Sequence, residues 1–250
     1  MNGFCSCAVC KDLKFSIGAL FYQRGLQSKT NMDEAELIKK YNIDIEMLKK
    51  EQIKLAKSLT FKDSQDFSIV DKIGAVETAI MQNRIVSVII VCDRDFNIIE
   101  QQYFADKLRF PYLNEFRSYR ELPTLVEAFN KLTEKPQIIF VRGHGITHPR
   151  LGLASHFALA VNTPVIGVAD NIFEIDKIEG ENILKDGKII GKVLQSKEKS
   201  NPLYISVGNG ISLKSAYELT KGFIKQPHKL PEPLHLAHKY AKSVSDEIKV

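Results

Sequence analysis

The sequence predicts an α/β protein built on one mixed sheet flanked by helices, and three observations carry that prediction. The chain has 250 residues, 44 % hydrophobic and 26 % charged, an ordinary globular balance that excludes a disordered chain. From about residue 67 the pattern changes to short β-branched runs. Three such runs follow one another directly, and after them helix and strand alternate, as in an antiparallel meander that continues into parallel strands.

Residues 31–60 are charged and helical in pattern, with Asn31 as a candidate N-cap and Tyr41, Ile45, Leu48, Leu55 and Leu59 at helical spacing. Asn42 divides this stretch into two helices. Its charged face (Lys49, Lys50, Glu51, Lys54, Lys57) reads as solvated surface. Strands are expected at 73–80, 85–92, 98–104, 138–141, 165–168, 188–194 and 203–207. Helices are expected at 122–132, 153–161, 213–223 and 234–244. No internal repeat or low-complexity block interrupts them.

Apolar runs such as Val88–Cys92 and Ala158–Val161 are too short to cross a bilayer, and the first residues do not form a secretory signal. The expectation is a soluble, intracellular, cytoplasmic protein without a membrane partner. Net charge is +5, from 35 Lys and Arg against 30 Asp and Glu, which permits a polyanionic partner without requiring one. Cys5, Cys7 and Cys10 form a C-x-C-x2-C cluster that lacks a fourth zinc ligand, so the first dozen residues read as a loose tail. Cys92, inside an apolar run, reads as a buried small hydrophobe.

In open α/β sheets, ligands gather outside the carboxyl ends of parallel strands. Two strands end there in conspicuous turns, IIFV into Arg142-Gly143-His144-Gly145 and PVIGV into Ala169-Asp170. Glycines in the first turn allow close backbone approach, and its amides could hold a base edge or phosphate. His144 and His148 read either as ligands or acid–base groups, or as structural turn residues. The aromatic loop from Arg109 to Glu121 either inserts a ring between bases or tucks Phe110, Tyr112 and Phe116 into the core. Near the end, His235 and His238 lie one turn apart, a spacing that binds metal only where a further ligand converges.

Together the segments FPYLNEFRSYRE, VRGHGITHPRLGLASH, TPVIGVAD, NPLYISVGNGIS and KLPEPLHLAH resemble, in order, the motifs of the endonuclease V family over roughly residues 44–245. Residues 1–43, with the cysteine cluster, then read as an N-terminal extension and 44–250 as the domain. The resemblance implies a ribonuclease H-like fold. It also implies a Mg²⁺-dependent endonuclease that recognises inosine in DNA or RNA and cuts 3′ to it. By position it assigns a wedge to Pro111, Tyr112 and Leu113, although Asn114 and Glu115 replace the family's Pro-Gly. It assigns a lesion pocket to Gly143, His144 and Gly145.

The catalytic positions depart from the pattern. Glu77 takes the place of the first-strand Asp, and Glu121 keeps the second carboxylate; these two are the candidate metal ligands. His238 occupies the position on the terminal helix. Arg142 replaces the family Asp and Asp170 the family Lys, an exchange that reverses two charges without changing their sum. One reading is an Arg142–Asp170 ion pair filling the metal site, which leaves a protein that binds nucleic acid with impaired or lost catalysis. A second is an active inosine-directed endonuclease whose rebuilt site is Glu77, Glu121 and Asp170. A third is a protein–protein adaptor using the extension and the old cleft.

Overall fold

The computed structural model describes residues 33–248. Helices α1 (Glu34–Lys40) and α2 (Ile45–Ala56) come first. They part at Asn42, which takes the left-handed backbone (φ 49°) that asparagine tolerates. Asp33 stands at the N-cap of α1, and Asn31 lies outside the described residues. The Asp44 carboxylate caps α2 by accepting from the Met47 amide at 2.9 Å.

Strands β1 (Ile73–Met81), β2 (Arg84–Cys92) and β3 (Ile98–Lys107) form the antiparallel meander. A 3-10 turn (Asn114–Phe116) leads into α3 (Arg117–Asn130), and β4 (Ile138–Val141), α4 (Leu153–Val161) and β5 (Val165–Ala169) follow. After β6 (Lys177–Glu179), β7 (Asn182–Lys185), β8 (Lys188–Leu194) and β9 (Leu203–Asn209), the chain closes with α5 (Leu213–Gly222) and α6 (Glu232–Ile248). All nine strands join one sheet in the order β3-β2-β1-β4-β5-β9-β8-β7-β6, parallel from β1 through β4 to β5.

Strand alternation divides the core between the two faces. Val86, Val88, Ile90 and Cys92 of β2 pack with Phe140, Tyr217, Phe223 and the Leu234, Ala237, Ala241 row of α6. Ile89 and Val91, pointing the other way, pack with Val76, Ile139 and Val141 beneath Leu122, Leu125 and Phe157 of α3 and α4. The mixed sheet flanked by helices is therefore the architecture expected. Cys92 is the buried hydrophobe its setting suggests, its thiol pushed up to about 12, first by burial and then by Asp93 and Glu232.

A third cluster gathers Ile43, Leu48, Phe110, Leu113, Phe116 and Tyr119, with Leu37, Ile38 and Tyr41 packed against it. Side chains ahead of residue 44 thus join the packed body: α1 lends Leu37 and Ile38, and Tyr41 follows at its end, to the cluster that anchors the 110–116 loop. Cys5, Cys7 and Cys10 lie outside the described residues. Among the described residues no helix is long and apolar enough to cross a membrane.

Candidate active site

β1, β4 and β5 run parallel, and their register sets the site: Val76 lies beside Val141, and Val141 beside Gly167. The next residues, Glu77 on β1 and Arg142 beyond β4, are neighbours, and Asp170 follows the end of β5. Arg142 donates from Nε (3.0 Å) and Nη2 (2.8 Å) to one oxygen of Asp170, Oδ2. Its Nη1 reaches Glu77 Oε2 at 3.4 Å. The other Asp170 oxygen, Oδ1, accepts from Lys229 Nζ at 2.8 Å. Lys229 explains why the arginine grips a single oxygen rather than forking across both.

Glu121, buried on α3, is held by Arg117 one turn earlier, with Nε to Oε1 at 2.5 Å and Nη2 to Oε2 at 3.1 Å. This is the strong two-bond geometry for a guanidinium and a carboxylate. Glu77 is 8 % exposed. Besides Arg142 it faces His238 of α6, whose Nδ1 lies 3.7 Å from Oε2, and its Oε1 accepts from the Thr78 amide at 3.3 Å. Burial works against the Arg142 cation, yet the hydrogen bond to Asp170 and the nearby carboxylates outweigh it and raise its proton affinity. Burial likewise works against the Asp170 charge, but bonds from Lys229 and Arg142 prevail and hold its carboxyl below the usual range.

Three carboxylates and three cations thus neutralise one another around a cleft of about 290 Å³ lined by Glu77, Arg117, Arg142, Gly143, His144, Ala169, Asp170 and Asn171. Magnesium requires free carboxylate oxygens in near-octahedral array. Here both oxygens of Glu121 and both of Asp170 are engaged by cations, and a guanidinium stands between Asp170 and Glu77. This donor set does not fit a divalent ion.

The 143–150 turn forms a second wall. His144 Nδ1 meets Thr147 Oγ1 at 3.1 Å and its Nε2 meets Asn171 Oδ1 at 3.2 Å. Burial lowers the imidazole pKa of His144 to about 4 and of His148 to about 3, with Arg150 adding to the second shift, so both rings are neutral at pH 7. Both rings pack on Phe173, at 4.7 and 4.8 Å between centroids. A recess of about 60 Å³ separates them from the Tyr112 loop.

Both glycines of this turn are tied to the sheet through their amides. Gly143 N donates to Val168 O at 2.9 Å and Gly145 N to Ser206 Oγ at 2.8 Å, so neither amide is available to a base or phosphate. A Cβ on Gly145 would stand 1.9 Å from Val207 O; it is glycine because the turn lies directly on β9. Of the pocket residues expected, Gly143 and His144 line the cleft, and Gly145 lies behind them against β9.

In the wedge segment only Tyr112 is exposed, at 57 %, with the Arg120 guanidinium 5.6 Å from its ring centre. Pro111 and Leu113 are buried, because Leu113 belongs to the cluster with Phe110 and Phe116. The loop therefore tucks most of its apolar side chains inward and leaves one ring, that of Tyr112, outside.

Comparison with known proteins decides the family. Residues 53–239 match the family model described as endonuclease V. The chain belongs to the endonuclease V family. An endonuclease V of Thermosipho melanesiensis is 37 % identical over 197 residues, covering 75 % of this chain and 85 % of that protein. The structure of the catalytic domain of human endonuclease V is 25 % identical with TM-score 0.74, covering 81 % of this chain and 96 % of that one. Ciona intestinalis endonuclease V, solved in complex with a 24mer DNA containing an inosine followed by a ribo-adenosine, shares the fold at 23 % identity with TM-score 0.74, covering 82 % and 98 %.

On this endonuclease V scaffold the structure brings together Glu77, Glu121, Arg142, Asp170 and His238, all singled out from the sequence. It adds partners the sequence reading missed. Arg117 stands four residues before Glu121 on one helix face, a spacing that could have announced the pair. Lys229 is 59 residues from Asp170, and no local pattern signals their contact. Asn171 and Phe173, which hold and cover His144, had no signal either.

Proposed function

We propose that this chain is a nucleic-acid-binding member of the endonuclease V family whose phosphodiester cleavage is impaired or lost, its metal site filled by its own cations. One observation carries the reading: the Arg142 guanidinium bonds Asp170 and Glu77 where a divalent ion would require open carboxylates. An arginine does not deprotonate to make room, so the positive charge persists at every working pH. The rebuilt ligand set of Glu77, Glu121 and Asp170 fails for the same reason, since every one of these carboxylates faces a cation.

The nucleic-acid half rests on family membership and on the Ciona relative's inosine-containing DNA. The residues suit it. The exposed Tyr112 ring offers a face for stacking on bases, a contact worth about 1–3 kcal/mol per base. Beside it, the neutral rings of His144 and His148 and the Phe173 face offer a flat, weakly polar recess for an unstacked base.

The test uses single-inosine and plain oligonucleotides, DNA and RNA in parallel, with Mg²⁺ and with Mn²⁺. Salt-sensitive binding without cleavage is expected. A specific cut one nucleotide beyond inosine, abolished by Glu121→Ala, overturns the loss of catalysis. Absence of salt-sensitive binding to any oligonucleotide leaves the adaptor reading instead. Reversing the charges with Arg142→Asp and Asp170→Lys is expected to bring metal-dependent cutting back. Because the new lysine would face Lys229, the pair is made both alone and with Lys229→Met.

A further inference from the structure

Outside the cleft, the segment entering α6 draws three metal-ligating side chains together. An isolated bridge between Ile224 and Pro231, and a bond from the Glu232 amide to Phe223 O at 2.7 Å, close the loop between them. The closure folds His228 back over the first turn of α6. His228 Nδ1 then lies 2.7 Å from Glu232 Oε2, and its ring stacks on that of His235 at 3.6 Å with 20° between planes. One ligand atom from each of His228, Glu232 and His235 falls within 4.8 Å of the others, and all three residues are partly buried.

We propose that His228, Glu232 and His235 bind a single divalent cation of the zinc class, at a site distinct from the cleft carboxylates. Two imidazoles and one carboxylate are the donors that Zn²⁺ and its neighbours prefer, whereas Mg²⁺ selects oxygen alone. Metal binding takes neutral imidazole, so uptake should strengthen as pH rises. A cation at the edges of the stacked rings would use one lone pair from each imidazole and an oxygen of Glu232. Three protein ligands leave a fourth tetrahedral position to water. The sequence paired His235 with His238; the structure supplies converging ligands from the other side, and His238 turns to Glu77 instead.

The site borders the cleft through one residue. Lys229, next to His228, reaches Asp170. A cation bound here fastens the 225–230 loop and with it the lysine that holds Asp170 Oδ1.

The test is titration of the full chain carrying Cys5→Ser, Cys7→Ser and Cys10→Ser with Zn²⁺ by calorimetry and with Co²⁺ by visible absorption, in excess Mg²⁺. Expected is one ion per chain, a tetrahedral cobalt spectrum without thiolate charge transfer, and slowed amide exchange over residues 225–230. His228→Ala and His235→Ala are each expected to weaken binding by more than ~100-fold, since loss of even an outer-shell partner costs ~10–100-fold. His228 lies in a loop and is partly exposed, so its variant folds even if the helical one does not. No uptake, uptake unchanged in His228→Ala, or exchange unaltered by zinc would overturn the proposal.

Discussion

Asp170 accepts three hydrogen bonds, two from Arg142 on Oδ2 and one from Lys229 on Oδ1, so that both of its oxygens are engaged. Other single residues set the chain's response to acid. His156 is fully buried on α4 with neither ring nitrogen paired, and burial lowers its pKa to about 4; His148 falls to about 3. An unfolded histidine titrates near ~6.5. Between these values the unfolded chain binds protons that the folded chain refuses. The stability these rings contribute is therefore complete above about pH 6.5 and is lost as pH falls toward their folded values. The expected slope is about 1.4 kcal/mol per pH unit for each ring. Urea midpoints at pH 7, 6 and 5 check this: His156→Leu should flatten the profile, and an unchanged slope would count against buried titration there. Residue by residue, the Arg142–Asp170 exchange was legible because the flanking motifs fixed both positions. Lys229 was not, because a contact formed by tertiary folding leaves no mark on local spacing.

At the scale of elements, the turn between β4 and α4 depends on two glycines that touch backbone. A Cβ would sit 1.9 Å from Val207 O at Gly145, and 2.1 Å from His144 O at Gly152. Gly145→Ala is expected to cost about 1–3 kcal/mol or more in chemical denaturation, with displacement of His144 and weaker oligonucleotide binding. Gly222→Ala near the end of α5 meets nothing within 4 Å and should be neutral or stabilising by about 0.4–1 kcal/mol. In the core, Phe140 of β4 is fully buried, with its ring 5.8 Å from that of Phe223, and Phe140→Ala should cost about 3–5 kcal/mol. The same elements show what a sequence reveals. β4 and α4 fall where their apolar runs place them, because burial and periodicity coincide there. α3 starts at Arg117 rather than 122, since Pro123 resembles a helix start but lies inside this one. β6 and β7 escape notice because KIE and NILK are too short and polar to show alternation; sheet extension makes them strands.

Taken whole, the molecule carries a net charge of +5, and its cleft adds nothing to that balance. The three carboxylates and three cations cancel within a few ångströms. Affinity for oligonucleotides should therefore fall with added salt through basic residues elsewhere, and Arg142→Gln paired with Asp170→Asn should leave the salt slope unchanged. The cancellation also separates the two halves of recognition in time. A polyanion approaching this face meets no net pull from the cleft, so the rate of encounter belongs to the outer surface. On the function proposed above, Tyr112 and the histidine recess would act only after contact, through how long the strand stays. In stopped-flow measurements Tyr112→Ala should therefore shorten the complex's lifetime roughly tenfold while association changes by no more than about twofold.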